Sequence, residues 1–294
     1  MLEWHQISVV SSDRASDPVA EVLAQLGAVS VTFQDAAGQP LYEPPPDSHP
    51  LWPQTRIVAL FEKPVSVETI RASVSESLPA VPLRNWKLEV LPDRAWEREW
   101  MDLFKAMQFG ERLWVCPSHQ TPPHPEAVNL LLDPGLAFGT GSHPSTALCL
   151  EWLADRDLRS LKAIDYGCGS GILAIAAVLL GARSAIAVDI DPQALTATAA
   201  NAENNGVGDR ISCRFPAQAS NETAELVIAN ILAKSLEGLA PVLKNSVNPG
   251  GDLVLSGILQ EEVDAVRKAY QQNFTFTTPG NRENWVRLNG IKIS

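Results

Sequence analysis

The spacing of apolar positions divides the chain into two differently patterned parts. Residues 2–10 form a β-rich run ending in Ile7-Ser-Val-Val10. Asp17-Pro18 then reads as an N-cap and first helical residue before Val19, Val22, Leu23 and Leu26 at helical spacing. Gly27 closes that helix, residues 29–33 alternate as a second strand, and the proline-rich loop 44–50 delays a third strand at 56–61. Apolar residues at 67, 70, 74 and 78 predict a helix, and residues 86–91 alternate again. The order is β-α-β-β-α-β, the ferredoxin-like arrangement.

Between residues 92 and 110, Trp96, Trp100, Leu103, Phe104 and Met107 fall on one helical stripe. Three large aromatics on one stripe point to packing between domains. Beyond it, short apolar runs alternate with helical patterns. Strands are expected at 161–164, 185–189, 211–215, 225–231, 252–256, 274–277 and 285–293. Helices are expected at 147–153, 172–180, 192–204, up to 243, and over 261–272. This is an α/β domain with a seven-stranded sheet. The expected organisation is a small α+β domain at 1–91, a helical linker at 92–110 and an α/β domain at 111–294. At 294 residues, two domains is also what length alone suggests.

The chemistry centres on Asp165-Tyr-Gly-Cys-Gly-Ser-Gly171, which lies between an apolar strand and an apolar helix. Glycines let the backbone turn tightly and approach a ligand, and the following helix start offers unpaired N–H groups. The next strand ends in Asp189, where an acid can accept from both hydroxyls of a ribose. A nicotinamide-binding loop carries G-x-G-x-x-G, whereas Gly167, Gly169 and Gly171 are spaced G-x-G-x-G behind an acid. That spacing resembles the Rossmann-like S-adenosylmethionine-dependent methyltransferases. Asn230 closes the fourth strand of the α/β domain, at the edge that faces the ligand crevice of an open parallel sheet; a simple turn-forming role fits the same position.

Upstream lies Asp133-Pro-Gly-Leu-Ala-Phe-Gly-Thr-Gly-Ser-His-Pro-Ser-Thr146, which leads into a helix. From residue chemistry alone it is equally a capped turn, and His143 without a second ligand reads as a loop hydrogen-bonder. This segment, however, resembles the signature of the ribosomal protein L11 methyltransferases. The likeness extends over the tryptophan-rich linker, the stretch Phe109-Gly-Glu-Arg-Leu-Trp-Val-Cys-Pro117 and the glycine loop. The resemblance implies that Thr146, Gly167, Asp189 and Asn230 contact S-adenosylmethionine, with Gly169 in the same loop. It also implies that the small domain holds the ribosomal protein, whose terminal amine and lysine side chains are methylated, up to trimethylation. A single cofactor site serving several amines then calls for movement around residues 92–110. Two departures stand out. Ser142 and Ser145 replace threonines, and Asn230-Ile-Leu-Ala stands where many amino-group methyltransferases carry Asn/Asp-Pro-Pro-aromatic.

Composition narrows the partners. The formal net charge is −11, with 12 acidic and 6 basic residues in 1–93, and no Lys/Arg cluster offers a face for phosphate. Nucleic-acid recognition is therefore not expected, and a methyltransferase for RNA or a small molecule is the alternative reading. A non-enzymatic cofactor binder is a further class. Four cysteines without C-x-x-C spacing suggest neither a disulfide framework nor a metal site, and no window approaches a membrane span of about 20 apolar residues. The start of the chain lacks a signal-peptide pattern, so a cytoplasmic location is expected. No residue identifies itself as a catalytic base.

Overall fold

Alternating burial along residues 55–61, set against the buried run 7–11, shows how the first sheet is made. Ile7 and Val9 pair with Ala59 and Ile57 across the antiparallel strands β1 (Glu3–Ser11) and β3 (Thr55–Phe61). All four of these side chains are buried. Strands β2 (Ser30–Asp35) and β4 (Arg84–Pro92) flank them in the order β2-β3-β1-β4, with neighbours antiparallel. Helices α1 (Asp13–Gln25) and α2 (Val67–Ser77) supply Val19, Leu23, Ile70 and Val74 to the same core. The ferredoxin-like order is as expected. The start of α1 is not: Ser12 is the N-cap and Pro18 lies inside the helix. Pro18 forgoes only the bond to the carbonyl of the exposed Arg14, and Ser16, buried, holds Ser12 O at 2.9 Å.

The computed structural model describes residues 3–38, 51–92, 105–133 and 141–293. The chain forms two compact units, Met1–Trp96 and Glu97–Ser294. Most of the linker stripe, Trp96 to Phe104, and the proline-rich loop fall outside the described residues. The helical pattern does not extend to Met107. Met107–Phe109 is strand β5, which turns at Gly110 (φ 58°) and pairs antiparallel with β6 (Leu113–Cys116). Strand β7 (Val128–Leu131) adds parallel to β6. This three-stranded sheet was not anticipated. Its strands of three or four residues are too short to display a period of their own, and they are held by burying Leu113, Val115 and Leu130 in a larger core.

That core belongs to the main sheet, ordered β10-β9-β8-β11-β12-β15-β13. Its strands are β8 (Lys162–Tyr166), β9 (Ser184–Val188), β10 (Ile211–Arg214), β11 (Ala224–Asn230), β12 (Val247–Leu259), β13 (Phe274–Phe276) and β15 (Trp285–Lys292). The first five in spatial order are parallel; β15 runs antiparallel between β12 and β13, so β13 points the same way as the first five, and the short β14 (Gly280–Arg282) pairs antiparallel with β15. Successive residues alternate between the two faces. Ala163, Ala185, Leu226 and Ile228 face α3 (Pro144–Ala154), α4 (Ile172–Leu179) and α5 (Pro192–Asn204). Ile164, Ile186, Val227 and Ala229 face α6 (Ala233–Gly238), α7 (Ala240–Ser246) and α8 (Val263–Tyr270). Both faces are covered, as a parallel sheet requires. The chain runs outward from β8 through β9 to β10, then returns to β11 on the other side of β8. The crevice at the carboxyl ends of β8 and β11 is thus the topological switch point.

Candidate functional site

Everything at this crevice starts from how β8 ends. Its last residue is followed by a loop in which Gly167, Gly169 and Gly171 have φ of 80°, 53° and 80°. At Gly167 the requirement is spatial as well: a Cβ would lie 2.3 Å from Ile231 Cγ2. The Gly167 and Cys168 amides both donate to Val188 O, at 2.7 and 3.1 Å, so the loop is laced to the end of β9. Gly169 N donates to Asp189 Oδ2 at 3.0 Å, and Asp191 N donates to Asp189 Oδ1 at 3.0 Å. Asp191 in turn caps α5 by accepting from Gln193 N at 2.8 Å, with Pro192 as first helical residue.

The other wall is built by α3 and β11. His143 caps α3, its Nδ1 accepting from Ser145 N at 3.3 Å, and its ring meets Trp285 edge-on at 4.6 Å. Burial lowers the pKa of His143, opposed by the charge of Glu283. Ser256 Oγ on β12 donates to Ser145 O at 2.9 Å. In the first turn of α3, the buried Thr146 accepts from Asn230 Nδ2 at 3.0 Å, a bond between residues 84 positions apart. The structure therefore arranges the five expected residues as two bonded pairs, Thr146–Asn230 and Gly169–Asp189. Gly167 stands between them, bonded to Val188 and packed on Ile231. The middle of the upstream segment, residues 134–140, lies outside the described residues. Its first residue, Asp133, accepts from Ser118 N at 2.8 Å.

Three further residues belong to this edge. Asp165 is 1% exposed; its Oδ2 accepts from Ala174 N at 3.1 Å while Oδ1 has no partner among the described residues. Burial pushes its carboxyl up to about 7, against the pull of the Ala174 amide and with added repulsion from Asp189. Ile190 (81% exposed), two residues past the end of β9, and Phe215 (42% exposed), directly after β10, present apolar surface where those strands end. Asp165 was visible in the sequence as the acid that opens the glycine loop, but its burial inside β8 was not, since the strand was expected to end at residue 164. Ile190 and Phe215 carried no signal, because an apolar residue beside a strand reads as core until its exposure is known.

These features fit a nucleoside-sulfonium cofactor. There is a backbone cradle that a Cβ would fill at Gly167, a carboxylate at the second strand end, and apolar side chains flanking it. Among the described residues no group of three His, Cys, Asp or Glu side chains is placed to hold a metal.

Comparison with known proteins gives a coherent result. The family model described as "Ribosomal protein L11 methyltransferase (PrmA)" matches residues 3–292. A protein of Methylococcus capsulatus named ribosomal protein L11 methyltransferase is 49% identical over 290 residues, 98% of this chain and 99% of that one. One of the same name from Glaesserella parasuis is 49% identical over 292 residues, 99% of each. Among solved structures, a ribosomal protein L11 methylase from Lactobacillus delbrueckii subsp. bulgaricus superposes with a TM-score of 0.59 at 30% identity. It covers 65% of this chain and 100% of that one.

Proposed function

The chain belongs to the ribosomal protein L11 methyltransferase family, and from that premise we propose that it is an S-adenosylmethionine-dependent protein N-methyltransferase. Its substrate is ribosomal large-subunit protein L11, modified at the terminal α-amine and at lysine ε-amines. The observation that carries this reading is the crevice itself: the glycine loop, Asp189, Thr146 and Asn230 share one sheet edge in a chain matched almost end to end by relatives of that name.

In this reading the backbone at Gly167 and Gly169 lies against the methionine part of the cofactor. Asp189 would hold the ribose hydroxyls as their acceptor, and Ile190 and Phe215 would supply apolar surface for the base. When bound, S-adenosylmethionine supplies an electrophilic methyl group. The chain's own task is to align an amine in line with it, exclude water and select the neutral nitrogen. A free lysine with pKa near 10.4 is only about 0.1% neutral at pH 7.4, against roughly a quarter to a third for an α-amine. Desolvation in the crevice lowers the lysine pKa. Asn230 donates through Nδ2 to Thr146, which leaves Oδ1 to accept an amine N–H and direct its lone pair. No side chain need act as a nucleophile.

Residues 1–91 serve as the substrate-holding domain, 92–110 as the linker and 111–294 as the methyltransferase domain. The location is cytoplasmic. The test is to incubate the purified protein with methyl-labelled S-adenosylmethionine and separated ribosomal proteins. Label is expected on L11 alone, at amino groups; label on another protein or on none, or label on ribosomal RNA in a parallel incubation, overturns the reading.

A further inference from the structure

Helix α5 and its C-cap present three polar side chains, Thr198, Asn201 and Asn205, spaced i, i+3 and i+7 and thus on one face. Two of them reach the backbone of the glycine loop and the third that of β7. Thr198 Oγ1 donates to Gly169 O at 3.0 Å, with Cys168 Sγ beside it at 3.4 Å. Asn201 Nδ2 donates to Ser170 O at 2.8 Å. Asn205 grips Leu131 twice, accepting from its N–H at 2.7 Å and donating to its carbonyl at 2.8 Å, and Nδ2 also bonds Asn201 O at 2.8 Å. Leu131 ends β7, two residues before Asp133 opens the 133–146 segment that carries Thr146. Because among the described residues β7 pairs with β6 alone, the Asn205 amide takes the place of a neighbouring strand.

We propose that Thr198, Asn201 and Asn205 are positioning residues for the cofactor: one helix face fixes the glycine loop and holds it in register with the strand leading into the Thr146 segment. The inference rests on the reading of this crevice as the S-adenosylmethionine site. Its physical basis is the planarity of the peptide bond. Holding the carbonyls of Gly169 and Ser170 against α5 fixes the 169–170 and 170–171 peptide planes, and with them the curvature through Gly169 and Gly171. Contact reinforces the bonds. A Cβ on Gly171 would lie 2.6 Å from Thr198 Cγ2 and 2.8 Å from its Oγ1, so loop and helix already touch. None of the three side chains needs to reach the cofactor. They act by setting where the loop's backbone lies before anything binds, which lowers the ordering cost of binding.

The experiment uses the full chain and two readouts. Calorimetric titration with S-adenosylmethionine is run on the wild type, Thr198→Val, Thr198→Ser and Asn201→Ala, at a temperature where each is folded. Amide hydrogen exchange across residues 167–172 is measured without cofactor. Thr198→Val and Asn201→Ala are expected to bind about ten-fold more weakly, the effect of one lost hydrogen bond expressed through the loop. They should also exchange the loop amides faster. Thr198→Ser, which keeps the hydroxyl, is expected to stay within about two-fold of wild type in affinity. Variants that melt earlier but bind with unchanged affinity and exchange the loop amides at the wild-type rate overturn the proposal, since that is the behaviour of residues that merely support the fold. If the wild type itself does not bind S-adenosylmethionine, the reading of the site fails, and the exchange measurement still decides whether α5 sets the loop. Should Thr198→Val not fold, Asn201→Ala, at a half-buried position, carries the same test.

Discussion

Asp165→Asn should make the protein more stable above neutral pH and less stable in acid. The carboxyl of Asp165 sits in β8, fully buried, with one oxygen bonded to Ala174 N and the other unpartnered among the described residues. Burial lifts its pKa from an ordinary 3.8 to about 7. A folded-state value above the unfolded one means the native state binds the extra proton between about pH 4 and pH 7. Stability is therefore lost as pH rises through that window, and the penalty is complete above it. The gap corresponds to about 4 kcal/mol at 1.36 kcal/mol per pH unit. Asparagine carries no charge at any pH and keeps an oxygen for Ala174. Its amino group falls where Oδ1 has no partner, at a cost of roughly 1–3 kcal/mol. The net expectation is a gain of about 1–3 kcal/mol at pH 8.5, shrinking through zero to a loss of at most about 2 kcal/mol at pH 4.5, where about 1 kcal/mol of the ionisation penalty is still present. Urea denaturation of both proteins at matched pH reads this as a crossover in midpoint, and the first unit's contribution cancels in the comparison. If the two proteins show the same pH slope, or the variant is weaker at both ends, Asp165 does not carry the buried charge that the geometry implies.

The other predictions concern the crevice and the small domain. Asp189→Ala removes the carboxylate that holds Gly169 N and Asp191 N and that is proposed to accept from the ribose. Calorimetry should show S-adenosylmethionine binding weakened about ten- to a hundred-fold, and unchanged affinity takes Asp189 out of the site. Gly167→Ala forces a Cβ against Ile231 at φ 80°; thermal melts should show a loss of about 2–4 kcal/mol, and a neutral result would mean the loop can rearrange freely. Deleting residues 1–90 should leave cofactor affinity intact while abolishing methylation of the ribosomal protein. Retained methylation would show that the small domain is not the recognition element.

The parts of this protein legible in its sequence are those that short windows encode. Period-two and helical spacing located the strands of the four-stranded sheet and, β14 apart, of the main sheet, with the helices that cover them, because burying one face of an element imposes that spacing locally. The glycine loop between β8 and α4 was readable because positive φ is tolerated almost solely by glycine, and Asp189 because it ends a short apolar strand. Where a window misled, a neighbour outweighed it. Met107 completes a helical stripe, yet it pairs as a strand with Val115, since the hairpin at Gly110 buries Phe109. Asp17-Pro18 looks like a helix start, yet Ser12 caps the helix a turn and a half earlier.

What only the tertiary structure decided is which distant segments meet. Strand order placed β11 beside β8, and so brought Asn230 to Thr146 across 84 residues. The same folding set Asn205 on Leu131 across 74 residues. It also buried Asp165 between two helical layers, where a carboxyl of ordinary composition acquires an unusual acidity. Local spacing tells each segment what to become. The free energy of these pairings comes from desolvation and hydrogen bonds that exist only after the chain has closed on itself, so no window of the sequence contains them.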